Sequence, residues 1–289
     1  MSGEHSFCFF HVCTDGNYLD WLFKDDEDFK AGVNRIAICS LSSGVEVYAF
    51  TLMDNHVHLV LMGTMPMCKR FICEYKLLTG KWISKKYNLP QYLKHLPTQI
   101  IPIVDEEQLL DTIAYLDRNS VVAGFRCLPS EYPWGSARYL FKHDAAVLSL
   151  KQLSEFPKNA IRKILNTDKQ LPEQWSIDQN GMIYPPCFID IAKVEHIFKS
   201  PMRYIFYLSK KLEGKVEMQQ GTKTFFLDKE LRIVAKKLAQ ELCGKNELAD
   251  LDFNSKIALA RKLRYSYAST PKQIARILSV NDEILSQFI

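Results

Sequence analysis

Val45-Glu46-Val47-Tyr48-Ala49-Phe50-Thr51-Leu52-Met53 and Asn55-His56-Val57-His58-Leu59-Val60-Leu61-Met62 are two apolar runs, rich in β-branched and aromatic residues, that meet at Asp54-Asn55. Their length, composition and intervening turn residues predict an antiparallel hairpin. Upstream, His5 to Thr14 (HSFCFFHVCT) reads as a buried strand ended by an Asp15-Gly16-Asn17 turn. A helix follows from Asp25 to Cys39, with acids in its first turn where the helix dipole favours them. Downstream, Pro66 to Tyr87 is a basic amphipathic helix and Asp105 to Asn119 a second one. Strand, helix, hairpin, helix and helix add up to an α+β layer, one antiparallel sheet covered by helices.

The 289 residues suggest about two domains, each long enough to bury a core. With 47% hydrophobic residues, 12 Gly and 12 Pro, the composition excludes a disordered or collagen-like chain. Sequence texture changes after Tyr139. This divides the chain into a sheet domain over 1–145, a mostly helical accessory region over 146–250 with no recognisable chemistry, and a helical module over 251–289. No apolar run reaches the roughly 18 residues that span a bilayer, and the N-terminus has no basic leader. The expected location is the cytosol, in association with the nucleoid. The eight cysteines are scattered without a Cys-x-x-Cys pair, as free thiols would be.

A net charge of +4 conceals segregation. Between Thr64 and Ile100, Lys69, Arg70, Lys76, Lys81, Lys85, Lys86 and Lys94 face a single acid, Glu74. From Phe253 onward, Lys256, Arg261, Lys262, Arg264, Lys272 and Arg276 outnumber Asp282 and Glu283. Clustered cations of this kind either contact a polyanion or form solvated helix faces. Phe71, Tyr75, Trp82 and Tyr87 are interleaved with the first cluster. They divide between core packing, which the helical spacing of Phe71, Tyr75 and Leu78 indicates, and stacking on unpaired bases.

On a strand, His56 and His58 point to one face and either share a metal ion or form a satisfied imidazole pair. In the helix from Asp105, Leu109, Leu110, Ile113 and Leu116 form one apolar stripe at about 100° per residue, while Gln108, Asp111, Tyr115 and Asn119 gather opposite. Tyr115 and Asn119, one turn apart, can reach one site as nucleophile and amide ligand, or lie on the surface.

The stretch Phe50-Thr51-Leu52-Met53-Asp54-Asn55-His56-Val57-His58-Leu59-Val60 resembles the HUH motif (His, apolar residue, His) of the single-strand transposases. His11-Val12-Cys13-Thr14-Asp15-Gly16-Asn17 precedes it. Tyr115-Leu116-Asp117-Arg118-Asn119-Ser120-Val121-Val122-Ala123-Gly124-Phe125 and Tyr132-Pro133-Trp134-Gly135-Ser136 follow. Over about residues 5–140 this order is similar to that of the REP-associated tyrosine transposases. Ser120 stands where that family usually has Pro, Val122 where a basic residue is common, and Asp54 where Pro is frequent.

The resemblance implies a ferredoxin-like catalytic domain that cuts and joins single-stranded, hairpin-bearing DNA as a monomer or homodimer. His56, His58 and the amide of Asn119 would bind a divalent cation, Mg²⁺ or Mn²⁺, and Tyr115 would attack. The product would be a 5′-phosphotyrosine link, and rejoining would need no ATP. The DNA contacts expected are Lys69, Arg70, Lys76, Lys81, Lys85 and Lys86. Two other readings keep the fold: a domesticated regulator that binds DNA or RNA without cleaving it, and a metallohydrolase that uses a metal-bound water.

At the C-terminus, Ser269-Thr270-Pro271 opens a helix. Ile274, Ala275 and Leu278, a turn at Ser279-Val280-Asn281, then Ile284, Leu285 and Phe288 have the apolar spacing of a helix-turn-helix, which residues 254–289 resemble. The second helix has no Lys or Arg. The module therefore either contacts duplex DNA, with Lys272 and Arg276 on phosphates, or caps the chain structurally.

Overall fold

The computed structural model describes residues 6–16, 18–123, 125, 127–142, 149–210, 228–266, 269 and 271–288. The first elements are β1 (Cys8–Thr14), α1 (Asp26–Ser43), β2 (Glu46–Leu52), β3 (Val57–Gly63), α2 (Met65–Tyr87), β4 (Thr98–Ile103) and α3 (Glu106–Val122). After them come α4 (Lys158–Leu165), α5 (Ile191–Phe198), α6 (Pro201–Ser209), α7 (Asp228–Cys243), α8 (Phe253–Ser266), α9 (Pro271–Leu278) and α10 (Asp282–Leu285). β1 to β4 pair antiparallel in the order β2-β3-β1-β4, so the class is α+β, with the β-α-β-β-α-β succession of a ferredoxin-like layer.

The predicted hairpin is present, closed by Met53 N–H donating to the His56 carbonyl at 2.8 Å. Local chemistry sets the helix ends. Asp25 caps α1 by accepting from the Asp28 amide, and Gly44 ends it at φ 78°, a conformation glycine adopts without strain. Thr64 caps α2, and Asn88 ends it in the left-handed region. The strand the sequence did not disclose is β4. It is an edge strand, TQIIPI, mostly exposed, and its Pro102 is tolerated only because an edge residue need not donate to a neighbour.

The sheet has two different faces. On one, Phe10, Val12, Val57, Leu59 and Leu61 are fully buried. There α1 comes so close that a Cβ added at Gly32 would lie 2.9 Å from Leu52 Cδ1 and 2.8 Å from Phe23 Cε1. The other face carries His11, Cys13, Thr51 and His58 beneath α3, whose stripe Leu109, Leu110, Ile113 and Leu116 is buried as expected. One residue of the polar side of α3 differs from expectation, Asn119, which is buried; Asp117 is buried too, within the apolar stripe. The partner of Asp117 is on α6. Tyr204 donates to Asp117 Oδ2 at 2.7 Å, Arg118 donates to the carbonyls of Tyr207, Leu208 and Lys210, and Lys210 pairs with Glu107 and Asp111.

Burial pushes the Asp117 carboxyl up to about 7, with the Tyr204 hydroxyl and the Ala137 amide opposing the rise. A carboxyl whose pKa is higher in the fold than in the unfolded chain stabilises the fold while protonated. That stability is present below about pH 4 and is lost as the pH climbs toward 7. Asp117→Asn should therefore gain on the parent by about 2–4 kcal/mol between pH 4 and pH 8. Urea denaturation at the two pH values checks this, and parallel pH profiles for the two proteins would contradict it.

The chain clusters into two compact units, one of residues 1–119 and 128–211, the other of 120–127 and 212–289. The expected accessory region over 146–250 is thereby divided. Ile189, Val194, Phe198, Tyr204 and Tyr207 belong to the core of the sheet unit, and Leu153, Trp175, Ile177 and Ile183 pack with Ala37 and Ile38 of α1. In the second unit, Leu231, Ala235, Leu259, Leu263, Ile274 and Leu278 form a separate helical core. α9 begins at Pro271, and Asn281 caps α10 by accepting from the Glu283 and Ile284 amides. The second helix of the expected helix-turn-helix is a single turn. Leu285 is buried, but Ile284 and Phe288 are exposed, so two of its three expected core residues face outward. Thr270 and Ile289 lie outside the described residues.

Candidate functional site

Register places four side chains abreast across the sheet. Thr51 lies opposite His58, His58 opposite Cys13, and Cys13 opposite Gln99. Paired residues share a face, and His11, two positions before Cys13, points the same way. The His11 Nε2 and His58 Nδ1 atoms are 3.1 Å apart, so one donates to the other. The ligand atoms of His11, Cys13 and His58 all lie within 4.8 Å of one another. α3 brings Tyr115 to this group, its ring centre 5.5 Å from that of His58 and 6.1 Å from that of His11.

Thr51 fixes that placement, donating from Oγ1 to the Leu116 carbonyl at 2.9 Å, one residue beyond the tyrosine. Thr51→Val keeps the shape and removes the donor. It should cost about 1 kcal/mol and lower the melting temperature by about 2–4 °C in calorimetry.

Burial holds the His11 imidazole down to about 4. His58 is held well below its ordinary value by burial, then by repulsion from His56 and His11 were they charged. Both rings are thus neutral at physiological pH and retain a lone pair, the form in which histidine binds metal or accepts a proton. The Cys13 thiol is pushed up by burial and by Asp15.

The residues the sequence singled out are placed unequally. His58 and Tyr115 come together. The His56 ring is 4.7 Å from that of His58 and perpendicular to it, but its Nδ1 is 2.7 Å from Asn55 Oδ1. Asn55 also donates to the Gly16 carbonyl at 2.6 Å, and a Cβ at Gly16 would approach His56 Nδ1 to 2.9 Å, so the glycine makes room for the imidazole. Asn119 is buried one turn beyond Tyr115 on α3. The sequence reading gives His11 and Cys13 no role. Their signal was the alternation of β1, which puts them on the face of His58.

The four motif stretches meet at one end of the sheet. Val57 N–H donates to Thr14 Oγ1 at 2.9 Å, and Leu52 N–H donates to the Trp134 carbonyl at 2.9 Å. Tyr132 donates to the Leu52 carbonyl at 2.7 Å, and Ser136 Oγ accepts from the Phe50 amide at 3.0 Å. Asn17 and Gly124 lie outside the described residues.

The expected DNA contacts separate into two groups. Lys69, Arg70, Lys81, Lys85 and Lys272 are exposed. Lys76 donates to the Leu96 carbonyl, Lys86 is held by Asp25, Glu27 and Asp28, and Arg276 pairs with Asp228 at 3.2 Å. These three are committed within the fold. So are the aromatics of α2: Phe71 and Tyr75 are buried, and Trp82 and Tyr87 donate to Asp28 at 2.8 and 2.7 Å. Asp28 is itself buried, and these donors, with Lys86, account for its tolerance there.

A divalent ion is compatible with the donors gathered around His58, because neutral imidazoles need not lose a proton to ligate. No described helix is long and apolar enough to cross a membrane. No protein-family model and no curated protein matches the chain. Among solved structures, a REP-associated tyrosine transposase bound to a REP hairpin is similar to 47% of this chain and 78% of its own, at 12% identity and a TM-score of 0.34.

Proposed function

We propose that the chain cleaves and rejoins single-stranded DNA through a covalent tyrosine intermediate, with Tyr115 as nucleophile and His56 and His58 carrying a divalent cation. The observation that supports it most is the Tyr115 ring set over the His11–His58 pair. Tyr115 Oη, losing its proton, forms a bond to a backbone phosphorus while the bond from phosphorus to the 3′ oxygen breaks and that oxygen takes up a proton. The strand downstream stays on the protein by its 5′ phosphate, and a returning 3′ hydroxyl reverses the step. When bound, the cation supplies charge stabilisation at a phosphate oxygen. Thr51 holds α3, and so Tyr115, against the sheet. Asn119 is the proposed amide ligand. Lys69, Arg70, Lys81 and Lys85 give α2 an exposed basic side suited to a DNA backbone.

The test is covalent capture of 3′-labelled hairpins with single-stranded tails, read as a shifted band on a denaturing protein gel. Adduct formation supports the proposal. Binding without cleavage would favour a regulator, and cleavage without an adduct would favour a metallohydrolase.

A further inference from the structure

His58 has a choice of companions. The pattern His-x-His pairs it with His56, but the folded chain sets its Nδ1 against His11 Nε2 at 3.1 Å and places Cys13 directly opposite it on β1. Two nitrogens on one tetrahedral ion, at about 2.05 Å each, are about 3.3 Å apart, and a nitrogen and a thiolate sulfur about 3.6 Å. The nitrogen pair already has that spacing. The sulfur, with every ligand atom of the group within 4.8 Å of the others, reaches it by a movement of about 1 Å.

We propose that His11, Cys13 and His58 form a three-donor site for a borderline-soft divalent ion of the Zn²⁺ class. Two imidazoles and a thiolate suit zinc or cobalt, whereas Mg²⁺ seeks oxygen ligands in octahedral array and this group contains no carboxylate. Three protein donors leave the fourth tetrahedral position to water or a phosphate oxygen, the pattern of a catalytic rather than a structural zinc. Strand geometry makes the group one unit: His11 and Cys13 share a face by alternation, and register sets Cys13 across from His58. The inference keeps His58 and puts His11 and Cys13 in place of His56 and Asn119; it rests on the proposed function for the use of the ion only, and its binding is measured separately.

The probe is Co²⁺ added to the full chain. The expected result is a near-ultraviolet sulfur-to-cobalt charge-transfer band, abolished by one equivalent of Zn²⁺ and unaffected by Mg²⁺ in thousandfold excess. Cys13→Ser should remove the band and weaken Zn²⁺ binding at least about 100-fold, since changes to outer-shell partners alone cost about 10- to 100-fold. On the unaltered chain, Zn²⁺ should slow alkylation of Cys13 at least tenfold by mass spectrometry, a readout that does not depend on the variant folding. A band that survives Cys13→Ser, displacement of cobalt by Mg²⁺, or Cys13 alkylation indifferent to Zn²⁺ would overturn the site. A protein that shows the band but forms no DNA adduct refutes the strand-transfer reading and leaves the ion in place. An adduct without the band does the reverse.

Discussion

Tyr115→Phe should abolish covalent capture of a 3′-labelled hairpin, lowering adduct formation at least about 10³-fold, while hairpin affinity stays within about twofold. The substitution removes one oxygen. The ring that packs against His11 and His58 remains, so the fold and the position of α3 are preserved. Stability should therefore change by less than about 0.5 kcal/mol, as for a partly exposed side chain without a buried partner to orphan. That separation of chemistry from binding makes the test decisive. Adduct formation by the Phe variant would transfer the nucleophile to another residue and sink the assignment. Loss of binding together with capture would show instead that the hydroxyl holds DNA.

Much of this site was legible in the sequence because its parts follow local periods. Alternation anticipated that His56 and His58 would be neighbours, as they are although His56 lies one residue before β3, and helical spacing kept Tyr115 apart from the Leu109, Leu110, Ile113 and Leu116 stripe. What could not be read was register. Nothing local says that His58 faces Cys13 rather than His11 or Phe9, yet that pairing, not the His-x-His pattern, decides which donors meet. The same limit applies to charge. Lys86 and Arg276 have the charge of phosphate contacts, but Lys86 is bound to Asp25, the cap of α1, and to Asp28 on α1, and Arg276 to Asp228 on α7, partners 58 or more and 48 residues away respectively. β4 escaped notice because an exposed edge strand with a proline lacks the apolar alternation by which strands are recognised. Asn119 was placed on the polar side of α3, where geometry put it. Its burial is not something the spacing within α3 encodes.

His58 is the residue at which these lines cross, and His58→Ala should lower cleavage about 10³-fold, the several kcal/mol that a polarising cation contributes to phosphoryl chemistry. It touches His11 by hydrogen bond and both His56 and Tyr115 by ring contact, so its loss removes the common member of either ligand set. Truncating a ring that is only 7% exposed should also cost about 1–3 kcal/mol of stability, which a melting curve will report independently. Hairpin affinity, which the proposed function assigns to exposed cations on α2, should hold within about threefold.

The parent's pH profile adds a further check. Protonation takes the lone pair from an imidazole, and burial keeps His11 neutral down to about 4 and His58 neutral well below its ordinary value. Metal-dependent cleavage should thus persist at pH 5.5, where an exposed histidine pair would be mostly charged and inactive. Cleavage by His58→Ala within tenfold of the parent would remove the imidazole from the reaction. A fall in parental activity centred near pH 6.5 would show that a group other than His11 and His58 limits the reaction.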